Sequence, residues 1–178
     1  EDKWVSADAQ YAVDTMLSGG FSTFTVMLLD LKKDGYTASF NSHENAQTDG
    51  SDNETDAYLE LVVNDARRRY YVTNDAYVRG GDYYGDNFGS EDFLYAEESH
   101  TTINGASPID NYSRRAYLNF NLSDIDKDDK VSDAKLYLYG RMIESDAPDR
   151  PETVKDSIEV LICDDPMRTF SESTLKWS

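Results

Sequence analysis

Aromatic and arginine side chains are the residues of this sequence best suited to bind a ligand. A sugar ring has an apolar face that packs on an aromatic ring, and its hydroxyl groups need polar partners. Arginine adds two parallel hydrogen bonds to a carboxylate, such as that of a uronate. The candidates for glycan binding are Arg79, Tyr83, Tyr84, Phe88, Arg114, Arg115, Tyr137, Tyr139 and Arg141.

The same arginines have an alternative role in ion pairs. The chain has 35 acidic and 17 basic residues, so pairing with carboxylates of the protein is the favoured interpretation. Arg67-Arg68-Arg69 is the one run of basic residues in the sequence. We expect it to act as a linker or to form salt bridges between subunits, rather than to capture a ligand.

Three aspartates imitate the start of a calcium-binding loop. Asp124, Asp126 and Asp128 place carboxylates at its first, third and fifth positions. Asp129 stands where such a loop has its turn glycine, and Lys135 stands where its bidentate glutamate belongs. The match is therefore partial, and a solvated hairpin between two strands is the favoured alternative.

A second acidic cluster follows Tyr77-Val78-Arg79 in a glycine-rich stretch. Its oxygen-bearing side chains are of the type that calcium prefers. A structural calcium ion, the one cofactor we expect, and an ion-free loop are equally compatible with it. The cluster consists of Asp82, Asp86, Asn87, Glu91 and Asp92.

Catalytic groups are scarce in the sequence. Its two histidines, His43 and His100, both lie in polar stretches. The sequence contains no nucleophile-elbow, zinc-protease or phosphate-loop motif. Paired carboxylates could act on glycosides, but such pairs arise by chance among 35 acidic residues. We predict that the protein is not an enzyme.

The formal net charge of −18 limits the classes of partner. A surface this acidic repels nucleic acid, anionic membranes and polyanionic glycans unless a local basic patch or bound cations intervene. No apolar run is long enough to cross a membrane. Cys163 is the only cysteine, so no intrachain disulfide can form. We predict a bacterial or archaeal protein at the cell surface or outside the cell, with no nucleic-acid partner and no membrane insertion.

Short strands must position these side chains, because apolar bursts alternate with polar turns along the chain. In residues 134–139 Ala and Leu alternate with Lys and Tyr, and residues 117–122 alternate similarly. Each strand therefore has one apolar face and one polar or aromatic face. The predicted strands are residues 21–30, 36–40, 57–63, 70–73, 76–78, 92–96, 115–122, 134–139, 157–163 and 175–177.

Helix is scarce in the predicted structure. Residues 8–17 have the apolar spacing of one short helix, and residues 41–56 are polar enough to form a solvated loop. The sequence therefore predicts an all-β protein, an antiparallel jelly-roll-like β-sandwich.

Five blocks carry a family resemblance: residues 75–81, 87–94, 113–123, 131–139 and 170–177. In order and spacing they resemble the DNRLRE-type β-sandwich modules, also called disaggregatase-related repeats. The resemblance implies a sandwich that accompanies polysaccharide lyases and large surface proteins of bacteria and archaea. It also implies carbohydrate binding, since some of these modules bind alginate.

The N-terminal part resembles the closing half of the same module. Residues 4–13 look like its Trp-and-Asp segment, residues 21–29 like its penultimate strand, residues 40–44 like its Phe-x-Ser-x-Glu turn and residues 58–62 like its last strand. The closing half therefore comes first in this chain.

We predict a closing half at residues 1–64 and an opening half at residues 65–178. Each half alone would expose unpaired strand edges. The halves could close on each other as a permuted domain, residues 1–64 could complete a neighbouring subunit, or the chain could be a window cut from a tandem array. We predict a non-catalytic extracellular module that binds carbohydrate or forms part of a surface assembly. The alternative is the subunit of a head-to-tail filament built by strand complementation, so the expected partners are a polysaccharide or copies of the chain.

Overall fold

A computed structural model of the chain describes residues 1–30, 36–48, 55–98, 112–144, 159–162 and 170–177. The strands in chain order are β1 (Lys3–Asp8), β2 (Thr23–Leu29), β3 (Tyr36–Asn41), β4 (Tyr58–Val63), β5 (Ala66–Arg79), β6 (Phe93–Ala96), β7 (Arg114–Asn121), β8 (Val131–Glu144) and β9 (Glu159–Ile162). The helices are α1 (Gln10–Ser18) and α2 (His43–Thr48). A 3₁₀ turn at Gly81–Tyr83 follows β5.

The strands form two antiparallel sheets that share β5. The first sheet contains β1, β3, β4, β6 and β8, together with residues 66–71 of β5. The second contains the rest of β5 with β7, β2 and β9. The predicted fold class, an all-β antiparallel sandwich, is confirmed.

The two short strands predicted at residues 70–73 and 76–78 are one long strand. The register of β5 against β7 shifts between Val72 and Asn74, which is the sign of a β-bulge. Polar residues at the bulge interrupt the alternation of apolar residues in the sequence. The sequence pattern therefore indicates two strands where the structure has one. Because bulges bend a strand, β5 leaves the first sheet here and enters the second.

Strand β8 lies inside the first sheet and has neighbours on both sides. Both β1 and β4 pair with residues 135–137, so they must flank β8 on opposite sides. Gly140 pairs with Lys3 of β1 and with Phe40 of β3, which places β3 on the same side as β4. Among the described residues, β1 is thus an edge strand.

The core fills the space between the sheets. Leu59 of β4 and Leu118 and Phe120 of β7 are fully buried, and α1 adds Val13 and Met16 to the same cluster. Burial of a side chain of this size contributes about 1.5–3 kcal/mol. The apolar residues whose alternation predicted the strands are the residues that fill this core.

The apolar pattern does not predict β1 or α2. Most residues of β1 are exposed, so no apolar alternation marks it, and α2 lies inside the polar stretch predicted as a loop at residues 41–56. The strand predicted at 175–177 is wrong, because these residues follow a turn without strand pairing. Cys163 and His100 lie outside the described residues.

Every described strand of residues 1–64 pairs with strands from the rest of the chain. β1 pairs with β8, β2 with β7 and β9, β3 with β6 and β8, and β4 with β5 and β8. No two of these four N-terminal strands pair with each other in the described part of the chain. Residues 1–64 therefore have no sheet of their own.

A tight turn joins β4 to β5 at the predicted boundary between the halves. Asn64 and Asp65 have φ angles of 50° and 64°, as a two-residue hairpin loop requires. Arg67 and Arg69 follow and flank Glu60 on the facing strand, with Arg69 Nε 3.1 Å from Glu60 Oε2. The basic run is therefore the start of a strand and not a linker, and these ion pairs form within the chain.

Candidate functional site

Five aromatic side chains share the outer side of the first sheet. Trp4 is opposite Tyr139 across β1 and β8, while Tyr58 of β4 is opposite Tyr137 of β8 and Tyr71 of β5. Directly opposed residues of antiparallel strands point to the same side. Their side chains form one surface across four strands, which we call the aromatic face.

The aromatic face has a packed base and an exposed top. Tyr58 and Tyr137 stack with ring centroids 4.8 Å apart and an angle of 13° between the rings. Trp4 reaches across β8, with its ring centroid 5.3 Å from those of both Tyr58 and Tyr139. Trp4 is 39% exposed and Tyr71 38%, whereas Tyr58 is 8% exposed. The buried tyrosine thus holds Trp4 in place for contact with a ligand.

Charged groups border the aromatic face. The Arg69 guanidinium lies 4.7 Å from the centre of the Tyr58 ring and also pairs with Glu60. On another side, Arg141 Nη1 lies 3.3 Å from Asp2 Oδ1. These arginines are about half exposed, and exposed ion pairs are weak. A carboxylate of a ligand can therefore compete for either of them.

The hydroxyl of Tyr58 remains protonated in neutral solution. Burial raises its pKa above the ordinary value of 10.0, and nearby Arg69 opposes that rise. The hydroxyl is therefore a hydrogen-bond donor within an otherwise apolar base.

The structure places three of the predicted ligand-binding residues on the outer side of the first sheet. Tyr137 and Tyr139 belong to the aromatic face, and Arg141 follows them on the same strand. A separate patch follows β5, where the Arg79 guanidinium lies 3.9 Å from the centre of the Tyr83 ring and where Tyr84 is 66% exposed. These six predicted residues therefore lie in two separate regions.

Of the three remaining predicted residues, Phe88 stacks on Tyr77 and packs against the core. The other two, Arg114 and Arg115, point to opposite sides of β7. Arg114 is buried, forms an ion pair with Glu97 and lies over the Tyr95 ring. The Arg115 guanidinium lies 4.5 Å from the centre of the Trp177 ring. Both arginines are thus engaged by side chains of the protein, as the ion-pair interpretation favours for Arg114.

Sequence reasoning missed Trp4, Tyr58, Tyr71 and Arg69 as members of this surface. Trp4 lies in a strand that the apolar pattern did not reveal. Tyr58 and Tyr71 face each other across the β4–β5 hairpin. The Asn64-Asp65 turn signal, combined with the position of each tyrosine relative to it, is the sequence feature that could have paired them.

Hydrogen bonds close the predicted calcium loop between β7 and β8 as a hairpin. The Asp126 amide donates to Asp129 Oδ2 at 2.9 Å, and this bond and one from Asn64 lower the pKa of Asp129. Asp124 accepts a hydrogen bond from the Tyr70 hydroxyl at 3.2 Å. Asp128 is exposed. The segment is a hairpin between two strands, and calcium binding there stays a prediction.

The second predicted calcium cluster surrounds the 3₁₀ turn. Asp82 and Asp86 lie in this loop, and Asp92 directly precedes β6. Asn87 Nδ2 donates to the carbonyl oxygens of Glu172 and Leu175. Across the residues that the structure describes, no three His, Cys, Asp or Glu side chains are grouped so that they could hold a metal ion. Calcium binding therefore remains a prediction.

Neither described helix is long and apolar enough to cross a membrane. Two packed antiparallel sheets with an exposed aromatic face define an all-β sandwich as the class of protein. Residues 66–157, a little over half of the chain, match the model of carbohydrate-binding module family 96, and the chain belongs to that family. Comparison with curated proteins and with solved structures gives no significant match.

Family membership confirms the prediction of a carbohydrate-binding module. Modules of this class bind polysaccharide and are typically non-catalytic. The match begins at Ala66, the first residue of β5 and one residue after the predicted start of the opening half.

Proposed function

We propose that the chain is a non-catalytic module that binds a polysaccharide outside the cell through its aromatic face. The observation that carries this proposal is the exposed Trp4 ring, held by Tyr58 and Tyr139 on the flat side of a sheet. An aromatic ring fixed in this way loses little conformational entropy when a sugar ring packs on it.

Acidic glycans are the substrate class that the border of the aromatic face favours. Arg69 and Arg141 are half exposed and stand on either side of the aromatic rings. Each can exchange a weak pairing within the protein for a uronate carboxylate. The patch of Arg79, Tyr83 and Tyr84 is a second, smaller candidate contact.

Affinity electrophoresis against neutral and uronate polysaccharides tests this function. We expect a uronate polymer to retard the protein, and Trp4→Ala to weaken the binding about tenfold, or about 1.4 kcal/mol. Trp177→Ala is the matched control, since Trp177 packs on the second sheet and should leave the affinity unchanged. Equal losses in the two variants, or unsaturated uronides released during the assay, would contradict the proposal.

A cell-surface filament is the second candidate function. It is supported by the pairing of the four N-terminal strands β1–β4. Each of them pairs with strands from residues 66–162, and no two of the four pair with each other. If these N-terminal strands paired with a neighbouring subunit, the same contacts would link copies head to tail. The Asn64-Asp65 hairpin restricts this exchange, because β4 and β5 must stay together.

Negative-stain imaging of the purified protein at high concentration separates the two candidates. A filament subunit gives fibres, and deletion of residues 1–64 abolishes them. A permuted module that closes on itself gives small monodisperse particles, and this outcome would end the filament proposal.

A further inference from the structure

Four acidic side chains from distant parts of the chain interact electrostatically next to the C-terminal segment at residues 170–177. Glu44 comes from α2, Asp56 precedes β4, Asp75 lies on β5 and Glu172 belongs to the segment itself. Their charges interact, because Glu44, Glu172 and Asp56 each act to raise the pKa of Asp75. We call these four residues the acid cluster.

Asp75 is the most constrained member of the acid cluster. It is 1% exposed, and its Oδ2 accepts a hydrogen bond from the His43 amide at 2.9 Å. Its Oδ1 is buried without a hydrogen-bond partner in the described part of the chain. A buried carboxylate with an unsatisfied oxygen beside other carboxylates is strongly disfavoured in its charged form.

The acid cluster is also the attachment point of the C-terminal segment. The Asp75 amide donates to Glu172 Oε1 at 2.9 Å, and Asn87 Nδ2 donates to the Leu175 carbonyl oxygen at 3.0 Å. Any side chain at Gly89 would overlap the backbone of Glu172. The absence of a side chain at position 89 thus allows the loop and the segment to touch.

Aromatic contacts complete the docking of the segment on the second sheet. Phe170 lies edge-on to Tyr117, with ring centroids 6.1 Å apart, and Trp177 covers Arg115. The segment therefore lies over the outer side of β7.

We propose that a proton held by the acid cluster acts as a latch that keeps residues 170–177 docked on the second sheet. When Asp75 is neutral, its side chain can remain buried beside Glu172. When Asp75 loses its proton, repulsion from Glu44, Asp56 and Glu172 drives the segment away and exposes Arg115 and Tyr117. His43 also faces the cluster, with its Nδ1 3.0 Å from Asp56 Oδ2.

The direction of the pH dependence follows from burial. Burial is the largest cause that raises the pKa of Asp75, from its ordinary 3.8 to about 8. Burial likewise raises the pKa of Glu44. For an acid whose pKa is raised in the docked state, the stabilisation is fully present below the ordinary pKa and is lost as the pH rises through the raised value. The segment should therefore undock in mildly alkaline solution.

Tryptophan fluorescence tests the latch in the full chain. The chain has two tryptophans, so the variant Trp4→Phe leaves Trp177 as the single reporter. We expect its emission to move to longer wavelength between about pH 6 and about pH 9, with a midpoint near the raised pKa of Asp75, about 8. Asp75→Asn in this background, a neutral side chain of the same shape, should keep Trp177 docked throughout.

Two further variants keep the test decisive if Asp75→Asn fails to fold. Glu172→Gln retains an acceptor for the Asp75 amide and removes one charge that repels deprotonated Asp75. Undocking should therefore shift to higher pH or disappear. Asp128→Asn, at an exposed acid in the β7–β8 hairpin, is the control and should leave the midpoint unchanged.

Three outcomes would overturn the latch. These are the absence of any transition in the Trp4→Phe background, an identical transition in Asp75→Asn, and an unmoved midpoint in Glu172→Gln. A transition that appears only after calcium is chelated would also overturn it, because the cluster would then hold a cation and not a proton. None of these readouts depends on glycan binding.

Discussion

The outer sides of the two sheets use the same residue types in different ways. On the first sheet, Trp4 rests on tyrosines and remains 39% exposed. On the second sheet, Tyr117 and Arg115 are covered by Phe170 and Trp177 of the C-terminal segment. One side is an open surface of aromatic rings, and the other is occupied by part of the same chain.

The comparison shows that residue type alone does not define a binding surface. Arginine and aromatic residues are present on both sides of the sandwich, but on the second sheet the protein supplies their partners. What distinguishes the aromatic face is the absence of a described segment over it. Substitutions at matched residues on the two sides test this distinction.

The largest difference in stability is expected between substitutions at two consecutive residues of β7. Arg114→Gln should destabilise the fold by about 3–5 kcal/mol, because buried Glu97 loses its ionic partner. The hydrogen bond that Glu97 accepts from the Thr37 hydroxyl at 2.7 Å remains. Arg115→Gln should cost less than about 1 kcal/mol, since the contact of that guanidinium within the described residues is its stacking on Trp177. Urea denaturation measures both, and similar losses would show that the two sides of β7 are not distinct.

A smaller loss of stability is expected from a methyl group on the strand that bears the aromatic face. At Gly140 an added Cβ would overlap the Ser39 carbonyl oxygen and lie 2.8 Å from the Phe40 Cα. Both contacts are with backbone, so Gly140→Ala should cost about 1–3 kcal/mol or more. Gly85→Ala is the control, because nothing lies within 4 Å of an added Cβ there. An unchanged thermal midpoint in Gly140→Ala would mean that β3 and β8 are farther apart than described.

The smallest effect is expected at the margin of the aromatic face. Tyr71→Ala should weaken polysaccharide binding about threefold, less than Trp4→Ala, because Tyr71 lies at the edge of the ring cluster. Tyr11→Ala on α1 removes a tyrosine that is 82% exposed but outside the aromatic face. Affinity electrophoresis should find no change for Tyr11→Ala, and a greater loss there than for Tyr71→Ala would move the binding surface elsewhere.

Strands with one buried side could be predicted from the sequence. The alternation at residues 117–122 and 134–139 becomes the alternation of β7 and β8, since it arises directly from burial against the core. The predicted helix at residues 8–17 is α1 with nearly the same bounds. Tyr137 and Tyr139 were correctly expected to point outward.

Features that depend on contacts between distant residues could not be predicted. Trp4 meets Tyr58 only because β1 and β4 flank β8, and local sequence does not encode that order of strands. Asp75 reads as an ordinary turn-forming aspartate, yet it is buried by α2 and by residues nearly a hundred positions later in the chain. Arg114 and Arg115 are adjacent and identical, and only the register of β7 separates the buried one from the other.

The strand order has a consequence for synthesis of the protein. Lys3 pairs with Gly140, so the first strand waits for its partner until most of the chain has been made. At ordinary rates of translation this delay is roughly 7–27 s. Throughout it, β1–β4 have apolar residues and no partners among themselves, so the nascent chain is exposed to aggregation until the later strands emerge. We therefore expect the sandwich to close only after strands β7 and β8 have emerged.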